Sequence, residues 1–271
     1  MDAAKGIAYL GDGDPHHTLD VYSPKNRDGN LPVIVEIHGG AYMTCDTTTN
    51  ELHGKSLATH GFRVVNVNYT LYPEADFRQQ IGEFHAIFDW LDRHAQTYHF
   101  DLENVFVTGD SAGGHLTLLL AAIEHSPSLQ EYFGVRSRGL KGFAVSCPVF
   151  DMQPVLEGQN WVYKMIRRNI PHTTAQELDL LAHVSIPAII DDCDFPEVFI
   201  LTTPTDTMFH IEARRLHELL TGRELRHEYK QYESVSNKLD HVFNVAYPDY
   251  IESVEANDDI CTYFKTKTLT A

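Results

Sequence analysis

The chain has 271 residues, of which 43% are hydrophobic, and its formal net charge at pH 7 is −17. This length and composition predict one globular domain over residues 1–271 with enough apolar side chains for a large core. The negative charge argues against nucleic acid and against an anionic membrane as partners, because either would need a basic face on the protein.

The first informative element is an apolar run, Leu31–Ile37, which predicts a strand and ends in the sequence HGGAY at 38–42. Two glycines after a strand can turn their backbone amides toward a ligand. In acyl transfer, such amides stabilise the negative charge that develops on the carbonyl oxygen. We therefore predict that Gly39 and Gly40 belong to an oxyanion hole and that Tyr42 contacts the substrate; a simple strand-ending turn is the alternative.

The next elements lead to a nucleophile. The pattern predicts a strand at 62–66, a helix at 77–94 and a strand at 105–108, which runs directly into GDSAGG at 109–114 and an apolar helix. A G-x-S-x-G sequence between a strand and a helix is typical of a nucleophile elbow, where a strained turn projects the serine hydroxyl. We predict that Ser111 is the nucleophile and that the amide of Ala112 completes the oxyanion hole.

A further strand at 141–146 is followed by an insertion over about residues 149–196. It contains Trp161, Tyr163, Met165 and an amphipathic stretch at 173–183. We interpret the insertion as a lid over the site and predict that Trp161 contacts the substrate. The alternative is that these apolar residues pack onto the sheet.

The acid and the base are expected later in the chain. Asp206 follows a strand predicted at 197–203, and His241 lies in a loop after a helix at 210–220 and a strand at 225–232. A helix at about 249–264 closes the chain. A serine hydroxyl is a poor nucleophile until an imidazole takes its proton and a carboxylate orients that imidazole. We predict that Ser111, His241 and Asp206 fill these roles.

Other histidines and acids are weaker candidates. His38 is expected to orient the glycine loop, and His115 to be structural. Asp110 adjoins the nucleophile and should point away from it, whereas Asp240 adjoins the base and cannot easily reach its far nitrogen. A further acidic cluster precedes the strand predicted at 197–203, whereas the catalytic acid is expected after that strand. The cluster comprises Asp191, Asp192 and Asp194.

Strands that alternate with helices predict an α/β fold with a mainly parallel sheet and helices on both faces. The motifs resemble those of α/β-hydrolases, in the hormone-sensitive-lipase-like and acetyl-esterase-like carboxylesterase branch. The resemblance covers HGGAY at 38–42, NYTLYPE at 68–74, GDSAGG at 109–114, Asp206, and HVF at 241–243. It implies a catalytic triad of Ser111, Asp206 and His241, and an oxyanion hole lined by Gly39 and Gly40.

The sequence departs from that branch in two places. Ala41 stands where many members have a third glycine, which leaves open which amides of the loop donate. Residues 19–24 resemble the family's first core strand and only a short stretch precedes them, so we expect the N-terminal helical cap of many relatives to be missing and the cleft to be fairly open.

These observations favour a serine carboxylesterase that hydrolyses short-chain esters, acetyl to butyryl, through an acyl-serine intermediate. Two alternatives stay open. One is an amidase resembling kynurenine formamidase, although Tyr42 replaces the tryptophan that those enzymes tend to carry. The other is a non-catalytic hydrolase-like binding protein, since fold alone does not determine function.

The expected partner is a small-molecule ester, with no nucleic acid and no membrane; a homo-oligomer is one option. Residues 1–5 lack the apolar core of a secretory signal, so we expect a cytoplasmic protein. The four cysteines are scattered without metal-ligand spacing and are expected to be free thiols. We predict no cofactor and no metal.

Overall fold

The structure is a computed structural model that describes residues 1–25, 29–168 and 173–268. Within these ranges eight strands form one sheet: β1 (Asp2–Ala8), β2 (Thr18–Ser23), β3 (Leu31–Ile37), β4 (Arg63–Val67), β5 (Phe100–Asp110), β6 (Gly142–Ser146), β7 (Val198–Thr202) and β8 (His227–Gln231). Their spatial order is β1-β2-β4-β3-β5-β6-β7-β8. The β1–β2 and β2–β4 pairs are antiparallel, and the other neighbouring pairs are parallel. The predicted α/β-hydrolase fold with a mainly parallel sheet is confirmed.

The helices of the described ranges are α1 (Glu51–Thr59), α2 (Phe77–Tyr98), α3 (Ser111–Glu124), α4 (Pro127–Phe133), α5 (Met152–Glu157), α6 (Trp161–Arg167), α7 (Thr174–Val184), α8 (Ile186–Ile189), α9 (His210–Gly222), α10 (Phe243–Ala246) and α11 (Ile251–Thr268). The predicted strands and helices are present, with ends shifted by a few residues. The edge strand β1 was not predicted, because its side chains are mostly exposed and lack an alternating apolar pattern.

Alternate side chains along a strand pack into two apolar layers, one on each face of the sheet. On the central strand β3, Val33, Val35 and Ile37 pack in the layer that includes α2 and α3, whereas Ile34 packs in the layer that includes α1 and α11. This alternation follows from the two-residue period of a strand. Because β4, β3, β5, β6, β7 and β8 are parallel, the residues that follow them are gathered at one edge of the sheet, the carboxyl edge.

The insertion predicted at 149–196 contains α5, α6, α7 and α8, together with a short 3₁₀ turn at Ile190–Asp192. Residues 169–172 of this insertion lie outside the described residues. The segment is tied to the core, since the ring nitrogen Nε2 of His115 lies 2.8 Å from the carbonyl oxygen of Val184. Among the residues that the structure describes, no helix has both the length and the apolar character needed to cross a bilayer.

Candidate active site

Ser111 lies at the junction of β5 and α3, with a backbone φ of +52°. This left-handed conformation is uncommon for a residue other than glycine and is typical of strained functional turns. Gly113 makes the turn possible, because a Cβ there would collide with the carbonyl oxygens of Ile37 and His38. The strand-to-helix turn expected from the sequence is therefore present at Ser111, although α3 begins at the serine itself rather than after the glycines.

Asp206 and His241 come together at the carboxyl edge of the sheet. Nδ1 of His241 lies 2.9 Å from Oδ2 of Asp206, and the other carboxylate oxygen accepts hydrogen bonds from the amides of Met208 and Phe209 at 2.9 and 3.0 Å. Burial acts to raise the pKa of the Asp206 carboxyl, but the hydrogen bonds from His241 and the two amides hold that pKa below its usual value. Asp206 is therefore an ionised carboxylate at neutral pH.

One pocket of about 270 Å³ is lined by both Ser111 and His241. One side of its wall comes from the glycine loop and the residues after it, and another from apolar side chains of α6, α10 and the loop after β7. The apolar lining residues include Trp161, Val162, Met165, Met208 and Val245. Trp161 is 68% exposed and also lines the pocket, where a bound molecule could cover it. A larger cavity of about 470 Å³ is lined by Glu157, Gly158, Lys164, Arg167 and Arg168, which include no serine or cysteine nucleophile.

The glycine loop approaches Ser111 closely. A Cβ on Gly39 would collide with Asp110, and Gly40 has a φ of +93°. The amide of Gly39 donates to Oδ1 of Asp110 at 3.2 Å, and Nδ2 of Asn50 donates to the same oxygen at 2.8 Å. The amide of Gly39, predicted to face the substrate, is thus engaged by a side chain.

The other loop residues face inward. Tyr42 is completely buried and its hydroxyl lies 2.8 Å from Nδ1 of His115, so this side chain is part of the core rather than of the pocket wall. Its contact with substrate stays a prediction that this placement does not favour. Burial lowers the pKa of His115 to about 4, which keeps this histidine neutral. The ring of His38 stacks on Tyr69 with centroids 4.5 Å apart, and its Nδ1 lies 2.9 Å from the carbonyl oxygen of Gly39.

The rival acids have other partners. Oδ1 of Asp240 accepts the backbone amide of His241 at 2.8 Å, and Asp191 forms an ion pair with Arg223. Asp110, which was expected to point away from Ser111, is buried and accepts a hydrogen bond from the glycine loop. Of the acids considered, Asp206 is the one whose carboxylate meets the ring of His241.

The structure adds three residues that the sequence did not indicate. Phe209 packs on the ring of His241 with centroids 4.9 Å apart. Cys147 contacts Asp206 and Val242, and Asn244, three residues after His241, accepts a hydrogen bond from Ser146. Phe209 could have been anticipated from its position three residues after Asp206, whereas the other two depend on long-range contacts.

One group of metal-ligating side chains is found in the described ranges. Donor atoms of Cys147, Asp206 and His241 all lie within 4.8 Å of one another. Burial, with the nearby Asp206 carboxylate, raises the pKa of the Cys147 thiol far above its usual value, so the sulfur keeps its proton. The predicted absence of a metal stays a prediction.

Comparison with known proteins gives a consistent assignment. The BD-FAE family model matches residues 19–242. The chain is 29% identical to esterase B of Lactobacillus rhamnosis, in a crystal structure of the inhibited enzyme that superposes with a TM-score of 0.90 over 98% of this chain and 87% of that one.

Two curated relatives are similar over shorter stretches. The versiconal hemiacetal acetate esterase of Dothistroma septosporum is 30% identical over 152 residues, which are 55% of this chain and 44% of that protein. The acetyl esterase of Salmonella schwarzengrund is 30% identical over 105 residues, which are 38% of this chain and 32% of that protein. The matched stretch is thus less than half the length of both relatives.

Proposed function

Because this chain belongs to the BD-FAE family and has the α/β-hydrolase fold, we propose that it is a serine carboxylesterase that hydrolyses short-chain carboxylic esters. The observation that supports this most strongly is the juxtaposition of Ser111 and His241 in one pocket, with Asp206 hydrogen-bonded behind the histidine. Acyl transfer to a serine needs these three groups in this order of contact.

In the proposed reaction, Oγ of Ser111 attacks the ester carbonyl while Nε2 of His241 takes the serine proton. Asp206 stabilises the imidazolium that results. The tetrahedral intermediate then collapses to the acyl-serine, and His241 returns the proton to the departing alcohol. A water molecule, deprotonated by the same imidazole, attacks the acyl-serine and releases the acid and free Ser111.

Backbone amides are assigned to the negative charge of the tetrahedral intermediate. Preorganised amides lower the barrier by several kcal/mol where this charge develops. The sequence left open which amides donate, and the bond from Gly39 to Asp110 now favours a choice. We assign the donors to Gly40 and Ala112, and give Gly39 the role of anchoring the loop to Asp110.

The pocket supports a short acyl group. Its volume of about 270 Å³ is at the small end of ligand sites, and its wall is mostly apolar. Esterase B of Lactobacillus rhamnosis has a crystal structure with a C4-C4 SN3 tributyrin phosphonate inhibitor, which is consistent with butyryl-sized groups. We assign α6 to the predicted lid, with Trp161 against the substrate.

The test is a series of 4-nitrophenyl esters of increasing acyl length, from acetate to decanoate. We expect kcat/KM to be highest between acetate and butyrate and to be lost in Ser111→Ala. A maximum beyond octanoate would contradict the short-acyl assignment. Faster turnover of N-formylkynurenine than of phenyl acetate would favour the amidase, and no hydrolysis together with no labelling of Ser111 by a fluorophosphonate would favour the binding protein.

A further inference from the structure

The end of β6 contacts both loops that hold the acid–histidine pair. Ser146 is the last residue of β6 and Cys147 follows it, and both are buried. Oγ of Ser146 donates to Oδ1 of Asn244 at 2.6 Å. Asn244 lies in α10, three residues after His241, so this bond ties the histidine loop to the sheet.

The sulfur of Cys147 lies between the two catalytic segments. It is within 4.8 Å of the nearest donor atoms of both Asp206 and His241. The sulfur accepts a hydrogen bond from the backbone amide of Val242. Its S–H has two acceptors within reach, the carboxylate of Asp206 and, at 3.9 Å, Oγ1 of Thr202. One atom thus touches the acid, and also the residue next to the base.

The backbone around these contacts is strained. Cys147 has a φ of +45°, and Val242 has a φ of +52°, a conformation that is costly for a β-branched residue. Strained conformations persist only where surrounding contacts hold them. The amide of Cys147 donates to the carbonyl oxygen of Leu201 on β7 at 2.9 Å, which holds the backbone of this residue against the sheet.

We propose that Ser146 and Cys147 are positioning residues for the esterase: Ser146 fixes the loop that carries His241, and Cys147 donates its S–H to Asp206 while holding Val242. This inference rests on the proposed function, in which Asp206 and His241 act together. The thiol is a weak donor, and it competes with Nδ1–H of His241 for the negative charge of the carboxylate. Removal of the thiol leaves more of that charge facing the imidazolium.

The proposal predicts a specific pH effect. In Cys147→Ala, the acid limb of the kcat/KM profile moves up by about half a pH unit, because the Asp206 carboxylate loses a donor. We expect kcat to fall by about fivefold with KM unchanged. Cys147→Ser keeps an O–H donor, so its acid limb should return to the wild-type position or below it.

A matched control separates positioning from packing. Cys261 is also a completely buried thiol, and its S–H donates to the carbonyl oxygen of Leu57 in the apolar layer that includes α1 and α11. Cys261→Ala removes the same atoms without touching the acid–histidine pair. An acid limb that stays in place in Cys147→Ala, with a loss of melting temperature equal to that of Cys261→Ala, would overturn the role of Cys147.

Ser146 is tested in the same assay. Ser146→Ala should lower kcat by about tenfold without changing KM, and Ser146→Thr should restore most of it because the hydroxyl is kept. Ser126, a buried serine that caps α4, gives the control Ser126→Ala. Equal kcat in Ser146→Ala and Ser126→Ala would overturn the role of Ser146. Wild-type protein that hydrolyses no ester in this series would instead count against the proposed function itself.

Discussion

Asp206 and His241 form one buried carboxylate–imidazole pair, and Glu36 and His53 form a second pair in the same molecule. The two contacts are similar: Nδ1 of His241 is 2.9 Å from Asp206, and Nδ1 of His53 is 2.5 Å from Glu36. The surroundings of the far ring nitrogens differ. His241 lines the pocket with Ser111, whereas Nε2 of His53 lies 3.1 Å from Oδ1 of Asn257 within the core.

The two carboxyl groups also differ in the direction in which their pKa is shifted. Asp206 accepts hydrogen bonds from two backbone amides as well as from His241, and these bonds keep its pKa lowered despite burial. Burial raises the pKa of Glu36, because His53 and Asn50 offset only part of the lost solvation. A paired histidine therefore does not mark an active site by itself. What matters is access of the second ring nitrogen to a nucleophile and a substrate.

The largest expected effect is on activity, which should be lost on substitution of His241 and mostly kept on substitution of His53. His241→Gln should lower kcat/KM by about 10⁴-fold, because the serine loses its base. His53→Gln should change kcat/KM of the folded protein by less than tenfold. Steady-state hydrolysis of 4-nitrophenyl butyrate, with the folded fraction measured by circular dichroism, gives both values. A similar loss in the two variants would contradict the distinction.

The second effect concerns stability, for which the Glu36–His53 pair is expected to matter most. His53→Gln leaves a buried carboxylate without its partner, and should lower the free energy of unfolding by roughly 3–5 kcal/mol. The double variant Glu36→Gln/His53→Gln removes the charge as well, and should recover at least half of that loss. Urea denaturation measures both. A loss below roughly 1 kcal/mol in His53→Gln would show that the pair does not carry a structural charge.

A third buried carboxyl group, Glu212, has an arginine instead of an imidazole. Burial raises its pKa to about 7, although Arg215, with Nη1 3.3 Å from Oε1, acts in the opposite direction. The side chain of a glutamate in an unfolded chain has a pKa of about 4.3. The folded protein thus retains a proton that the unfolded chain has lost between these values, and stability must fall as the pH rises through this window.

The variant Glu212→Gln removes this dependence. Between pH 5 and pH 8, wild-type protein should lose up to roughly 3 kcal/mol of stability relative to the variant, with little further change above pH 8. Urea denaturation at four pH values measures the difference. Parallel stability curves for the two proteins would refute the assignment of the titration to Glu212.

The smallest effect concerns the glycine loop. Asp110→Ala removes the acceptor of the Gly39 amide and should lower kcat by about tenfold, because the amides of the loop become less well oriented. KM should stay nearly constant. Asp110→Asn keeps an acceptor oxygen and should lose less. If kcat is unchanged in Asp110→Ala, the loop does not depend on this anchor.

Sequence reasoning went furthest where the signal was local. The turn at Ser111 follows from glycines at fixed spacing, and Asp206 follows a strand whose carboxyl end must lie at the same edge as that of β5. The structure brings these residues and His241 together as the chain order suggested. Strand β1 was missed because an exposed edge strand has no apolar alternation.

Contacts between distant segments could not be anticipated. The inward direction of Tyr42 depends on a left-handed φ of +66° and on a partner, His115, that lies 73 positions away. The bond between Ser146 and Asn244 spans 98 positions. No local pattern encodes which of many buried polar side chains will meet when the sheet assembles.

The central claim is that Ser111 is the nucleophile and depends on His241. The most direct measurement is the rate and site of labelling by a butyl fluorophosphonate, followed by mass spectrometry of the digested protein. The account predicts one adduct, on Ser111, which is absent in Ser111→Ala and forms at least about 10³-fold more slowly in His241→Gln. An adduct on another residue, or ester hydrolysis that persists in Ser111→Ala, would contradict it.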